Sequence, residues 1–311
     1  MSLAAQCRRL LADGRLNLPF PGCGDTARRH CELAQIARDN LELARLVEAH
    51  ADALAILHEA GREPKPQALY GVWASEGKAG LKVSEGAVSG RKEFCTGAGL
   101  VDCALVTVME PERRLLEIDL RVTADRIDFD ASEWATDAFA ETSTATTVFR
   151  GYPISEADFV GPKGWYLDRP GFWHGACGPA SCWAGGAQGL IDYALKHTRE
   201  TNSHAVAHLG ALQANGWQLR ALLRAAGQEI DTDFENVQAA RVRALSLRHL
   251  VEQSCTDIVL RFGRALGPRP LAFDAQIARR CHELSLYIRQ SHAESDLEEL
   301  GRESLAWKKG S

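Results

Sequence analysis

The sequence has 311 residues, 45% of them hydrophobic, and a net charge of −5 with acids and bases scattered rather than blocked. Such a chain buries one large core or two to three smaller ones, and it lacks the basic footprint of a nucleic-acid or anionic-membrane binder. No run approaches the roughly 18 apolar residues of a membrane span, and Met1 to Leu11 carries Arg8 and Arg9 without an apolar core or a small-residue cleavage site, so a soluble, cytoplasmic protein with no nucleic-acid and no membrane partner is expected.

Residues 1 to about 65 read as helical, with Asp25 placed as an N-cap and Leu33, Ile36, Leu41, Ala44, Val47, Ala51, Leu54 and Leu57 recurring at threes and fours but for one step of five. Gly61, Pro64 and Pro66 stop that helix. From 66 to 165 the texture changes to short runs rich in Val, Ile, Thr and Phe: Leu69 to Ala74, Gly80 to Val83, Ala87 to Phe94, Cys103 to Val108, Leu115 to Leu120 and Thr144 to Phe149. Turn residues such as Ser84-Glu85-Gly86 and Glu110-Pro111-Glu112 separate them, which predicts an antiparallel sheet domain. The alternation after Leu116 predicts that one face of that strand is wet.

Beyond Gly161-Pro162-Lys163-Gly164 the helical period returns. Small residues at Ala176, Ala180, Ala184 and Ala187 would let helix axes approach closely. Further helices are expected at Ser203 to Ala226, ended by Gly227, at Glu235 to Phe262, and at Phe273 to Leu300, so residues 166–311 read as a four-helix bundle. Nine cysteines, an odd number, read as reduced thiols. Cys177 and Cys182 make no Cys-x-x-Cys pair, and His204 and His208 lack a His-Glu-x-x-His context, so no metal site is expected.

The stretch Ser89-Gly90-Arg91-Lys92-Glu93-Phe94-Cys95-Thr96-Gly97 and the apolar run after Asp102 resemble the flavin-facing strand pair of the acyl-CoA dehydrogenases, Asn-Gly-x-Lys-x-Trp-Ile-Thr-Asn and its partner. Leu69 to Glu76 is similar to the family's strand ending Val-Thr-Glu-Pro, Thr144 to Pro153 to its exit strand, and Ala278 to Leu284 stands where the family has Arg-Asp-Ala-Arg. The resemblance implies an N-terminal helical domain over 1–65, a central β domain over 66–165 and a C-terminal four-helix bundle over 166–311. It implies FAD as cofactor, with Tyr70, Val72, Trp73, Phe94, Cys95, Thr96 and Arg199 as binding residues and Thr96 facing the flavin N5.

It also implies oxidation of the CH–CH group of an acyl thioester, a small-molecule partner, and a homodimer or homotetramer. Ser291 occupies the position of the family's catalytic Glu, so Glu294, Asp296 and His292 beside it are the candidate bases. Trp73 stands in place of the Thr of Thr-Glu-Pro, and Arg264-Ala265-Leu266-Gly267-Pro268 in place of Gln-x-x-Gly-Gly-x-Gly. Two alternatives stay open: a non-catalytic or half-catalytic member that assembles with a paralogue, and a flavin monooxygenase of the same fold.

Overall fold

A computed structural model describes residues 1–75, 80–110 and 112–310. Glu76 of the strand-like run and Pro111 of the turn named above lie outside the described residues. Among the described residues, three helices come first: α1 (Leu3–Ala12), α2 (Thr26–Asp39) and α3 (Leu41–Glu59). Eight strands follow: β1 (Tyr70–Trp73), β2 (Leu81–Ser84), β3 (Ala87–Cys95), β4 (Cys103–Glu110), β5 (Glu112–Asp119), β6 (Ile127–Asp130), β7 (Ala145–Pro153) and β8 (Phe159–Val160). The short α4 (Trp165–Asp168) and α5 (Pro170–Gly175) lead to α6 (Cys177–His197), α7 (Ser203–Thr232) and α8 (Val237–Leu266), then α9 (Arg269–Phe273), α10 (Ala275–Tyr287) and α11 (Glu294–Gly310). Helical segment, sheet and helical region thus follow in the order expected. The chain forms two compact units, Met1–Leu18 with Arg45–Phe172, and Pro19–Ala44 with Trp173–Ser311, so that α2 groups with the C-terminal helices.

In the first unit the strand order is β6-β7-β3-β2-β4-β5-β8, with β1 paired to β4. β1 and β2 run parallel to β4 and share its one edge, while the remaining pairings are antiparallel. β6 and β8 are additions to the expected set, and the two residues of β8 are too few for periodicity to register. β5 has no wet face at its centre, because Glu117 is itself buried. Its carboxylate accepts Tyr70 Oη–H at 2.6 Å and the Arg62 guanidinium at 2.8 Å, which keeps a charge tolerable among Leu115, Leu116 and Ile118.

In the second unit α2 lies against α6 and α7. A Cβ on Gly185 would stand 2.0 Å from the Ala34 carbonyl oxygen, and one on Gly227 would stand 2.4 Å from the Ala27 amide nitrogen. Gly227 therefore does not end α7, which runs on to Thr232; it admits the backbone of α2. Nor does Asp25 cap α2 with its side chain. Asp231 of α7 does so instead, accepting the Thr26 amide at 2.9 Å and the Thr26 hydroxyl at 2.5 Å. The long N-terminal helix breaks at Asn40, extended at φ −148°, whose Oδ1 accepts the Leu43 amide and so starts α3. The last expected helix is likewise divided: Asp274 caps α10, and Ala293 at φ +49° turns the chain into α11.

His30 is buried between α2 and α7, its Nδ1–H donating to the Leu223 carbonyl at 3.1 Å. Burial pushes its pKa down to about 4. The unfolded chain, with an ordinary imidazole, therefore binds a proton that the folded one refuses. Stability is complete above about pH 6.5 and declines as pH falls toward 4, by about 3 kcal/mol from this group. Urea midpoints followed from pH 7.5 to 4.5 should fall more steeply for the wild type than for His30→Asn; parallel profiles would remove His30 as the cause.

Gly185→Ala should lower the urea stability by about 1–3 kcal/mol through overpacking against α2. Gly210→Ala, with open space where its Cβ would go, should raise it by about 0.5–1 kcal/mol. Equal effects at the two positions would contradict the close approach of α2 and α6.

Candidate functional site

After a first register shift at Gly151, β3 and β7 pair from Ser89 opposite Arg150 to Lys92 opposite Thr147, and resume with Cys95 opposite Ala145. Glu93 and Phe94 therefore stand opposite the single residue Thr146, a two-against-one bulge. Lys92 and Cys95, three apart, both point inward, and Phe94 is turned out with φ +58° and 59% of its surface exposed. Left-handed backbone costs an aromatic residue about 1–2 kcal/mol, and such outliers concentrate at binding sites. Phe139 (φ +59°) and Ser143 (φ +49°) repeat the conformation on the neighbouring loop.

That loop holds the end of β3 in place. The Gly97 and Ala98 amides donate to the Thr142 and Ser143 carbonyls, and the Ser143 hydroxyl donates to the Ala98 carbonyl at 2.7 Å. Trp73, 1% exposed, donates its indole N–H to the Thr96 carbonyl at 3.0 Å and meets Phe129 edge to face. Three hydroxyls line up behind the strand end. Thr96 Oγ1 lies 3.2 Å from Thr144 Oγ1, which lies 3.1 Å from Thr142 Oγ1, which donates to the Phe139 carbonyl at 2.7 Å. Thr96 is half-buried. The first unit thus presents an exposed ring, a half-buried hydroxyl and a rigid strand end together, an arrangement that suits a flat heteroaromatic ligand with a polar edge.

The remaining candidates in this unit face inward. The Tyr70 hydroxyl accepts the Lys65 amide and donates to Glu117, and burial, then that hydrogen bond, pushes its pKa up. Val72 is half-buried against the core. Cys95 is fully buried, its thiol donating to the Lys92 carbonyl, and burial raises its pKa to about 11. Arg199, His292, Glu294 and Asp296 belong to the second unit. Arg199 is exposed and lines a cavity of about 580 Å³ with Tyr193, Arg269 and Phe273. Asp296, buried, accepts the His292 amide at 3.1 Å, with His292 Nδ1 3.3 Å from its other oxygen. Glu294 is exposed and has no partner among the described residues.

Thr142 and Thr144 were not among the residues singled out in the sequence, although Thr142-Ser143-Thr144 puts hydroxyls at the two-residue spacing of one strand face. Among the described residues, no group of three or more His, Cys, Asp and Glu is placed to hold a metal ion. No helix among them is long and apolar enough to cross a membrane.

No protein-family model matches the chain and no curated protein is similar to it. Solved structures are. KijD3 in complex with FMN and dTDP-3-amino-2,3,6-trideoxy-4-keto-3-methyl-D-glucose is 14% identical, with TM-score 0.81 over 96% of this chain and 86% of that one. TdsC from Paenibacillus sp. A11-2, with FMN and indole, is 16% identical with TM-score 0.75 over 96% and 94%, and the same protein is described as a dibenzothiophene monooxygenase. Methanesulfinate monooxygenase MsuC from Pseudomonas fluorescens is 16% identical with TM-score 0.74 over 98% and 95%. The chain has the fold these proteins share, the acyl-CoA dehydrogenase-like arrangement of helices, sheet and helices.

Asparagine tolerates the left-handed region better than phenylalanine does, and the exposed ring of Phe94 buries little area. Phe94→Asn should therefore raise the urea stability by about 1 kcal/mol. A loss of the same size would show that the ring, not the backbone, holds the bulge.

Proposed function

We propose that the chain is a flavin-dependent oxidoreductase that takes FMN and acts with molecular oxygen as a monooxygenase on a small molecule. The observation that carries this reading is the bulged end of β3, with Phe94 outward beside the hydroxyl of Thr96. Phe94 would lie against the isoalloxazine, Thr96 would meet its polar edge, and Trp73 would hold the Thr96 backbone still. The flavin, when bound, supplies the redox chemistry. FMN and monooxygenase activity among the structural relatives support the same choice.

FMN is preferred to FAD for a reason in the second unit. A diphosphate held by a glycine-rich turn needs free backbone amides. In Arg264 to Pro268, Ala265 and Leu266 are helical, the Gly267 amide is taken by the Gly263 carbonyl at 2.9 Å, and Pro268 has none. One observation favours the second reading, an FAD-dependent acyl-thioester dehydrogenase: Glu294 is exposed and unpartnered at the start of α11, available as a base, whereas Asp296 is taken up with His292. The homodimer or homotetramer implied by the resemblance belongs to either reading.

Anaerobic titration of the full chain with FMN and FAD, each oxidised and reduced, separates them. FMN should bind about tenfold tighter than FAD or better, and an acyl-CoA should leave the oxidised complex coloured. Tighter FAD binding, with bleaching by an acyl-CoA that is lost in Glu294→Gln, would establish the dehydrogenase instead. Failure to bind either flavin in either state would leave the assembly role.

A further inference from the structure

Thr96 is followed by a turn that its own backbone does not hold. Gly97 and Gly99 adopt left-handed conformations, φ +81° and +75°, which glycine enters without strain, so the turn keeps its shape only through what fastens it. On one side the fasteners are the Thr142 and Ser143 carbonyls. On the other side stands Arg8 of α1, whose guanidinium donates to the Leu100 carbonyl at 3.0 Å and forks onto both carboxylate oxygens of Asp102, one of them at 2.9 Å. Leu3 and Cys7, 2% and 0% exposed, seat α1 against the same unit.

Two lines run from that fork to Thr96. Along the turn, the Leu100 and Val101 amides donate to the Gly97 carbonyl at 2.8 and 2.9 Å, and Gly97 adjoins Thr96. Along the sheet, the Asp102 carboxylate accepts the Leu69 amide at 2.7 Å, Leu69 leads into β1, and Trp73 at the end of β1 donates its indole N–H to the Thr96 carbonyl at 3.0 Å. We propose that Arg8 is a positioning residue for the flavin edge: it clasps the turn after Thr96 to the start of β1, and the ring binds tightly only while that clasp is closed. The inference rests on the flavin reading above and extends it to a residue of the N-terminal helix. The Arg8 side chain is 42% exposed and that of Asp102 13%, so salt reaches the clasp. An ion pair as open as this adds little to folding stability; its effect lies in fixing geometry, which the planar fork of arginine does and the point charge of lysine does not.

The test is the FMN dissociation constant of the full chain, measured in the oxidation state that the wild type binds more tightly, at about 20 mM and about 1 M NaCl. Arg8→Met keeps the aliphatic stem and should bind FMN about fivefold more weakly than the wild type at low salt, the size of one hydrogen bond lost to misalignment. At high salt, where a Debye length of about 3 Å screens the wild-type clasp as well, the difference should shrink to about twofold or less. Taking variant against wild type at each salt concentration cancels the salt dependence of the phosphate. Arg8→Lys should lie between the two. Ser2→Ala removes the hydroxyl that accepts the Ala5 amide at 3.3 Å, so it loosens the start of α1 without touching the clasp and should leave FMN affinity unchanged.

Arg8 variants that bind FMN as the wild type does overturn the proposal and leave the flavin reading standing. A loss that is equal at both salt concentrations, or equally large in Ser2→Ala, overturns it as well, because either marks a general loosening of α1. Should Arg8→Met fail to fold, Arg8→Lys carries the same comparison. A wild type that binds FMN in neither oxidation state overturns both readings, and that outcome is visible before any variant is made.

Discussion

One extra residue in β3 decides where the end of that strand points. Side chains along a strand alternate, and without the bulge the inward position of Lys92 would put Phe94 inward and Cys95 outward. Glu93 and Phe94 standing opposite Thr146 reverse that parity. Cys95 enters the core, Phe94 leaves it, and the carbonyl of Thr96 comes within reach of the Trp73 indole. The ring, the hydroxyl and the strand end described above are consequences of that single insertion, because each depends on which way the residues after it face.

The remainder of each unit supplies rigidity through buried contacts that leave little room for adjustment. In the first unit Tyr70 and Arg62 satisfy the buried carboxylate of Glu117, and removing either partner would leave part of that charge uncompensated in low dielectric. In the second, Gly185 and Gly227 let α2 meet α6 and α7 backbone to backbone, and Asp231 supplies across that contact the cap that Asp25 does not. Both are tertiary solutions to local problems: a buried charge and an uncapped helix.

That is also why the sequence showed the architecture better than the details. Composition shifts near residues 65 and 165, and runs long enough to carry a period, made the helical segment, the sheet and the helical region readable, and the motif around Thr96 named a fold that solved structures share. Breaks inside a continuous apolar pattern were not readable. Ile36 and Leu41 are five apart where the pattern otherwise steps by threes and fours, and that one slip across Asn40 is all that marks the end of α2 in the sequence. Gly227 looked like a terminator because a glycine ends a helix or admits a neighbour with the same letter. The wet face expected for β5 failed on Glu117, whose partners at 62 and 70 are far away in sequence. At the site, Phe94 and Thr96 were legible from their motif, whereas Thr142 and Thr144 were not, since two threonines near a strand are ordinary until their oxygens are found in line.

The strain around Thr96 constrains what the loop from Ala131 to Ser143 is for. Phe94, Phe139 and Ser143 each hold a left-handed backbone, at about 1–3 kcal/mol apiece, and conformations of that kind persist only where other contacts over-determine them. For Phe139 those contacts are visible: the ring is fully buried, the Arg45 guanidinium lies 4.7 Å from its centroid, and its carbonyl takes the Thr142 proton. Ser143 is tied through its hydroxyl and carbonyl to Ala98. The segment is therefore held from the core side by an aromatic anchor and from the strand side by three hydrogen bonds to residues 97 and 98. The stretch from Phe139 to Ser143, anchored in this way, does not serve as a moving cover. Its work is to keep a line of hydroxyls at fixed spacing, with the oxygens within about 3.2 Å of one another. Strained backbone, buried ring and aligned hydroxyls are in this sense one device, and relaxing the first would loosen the last.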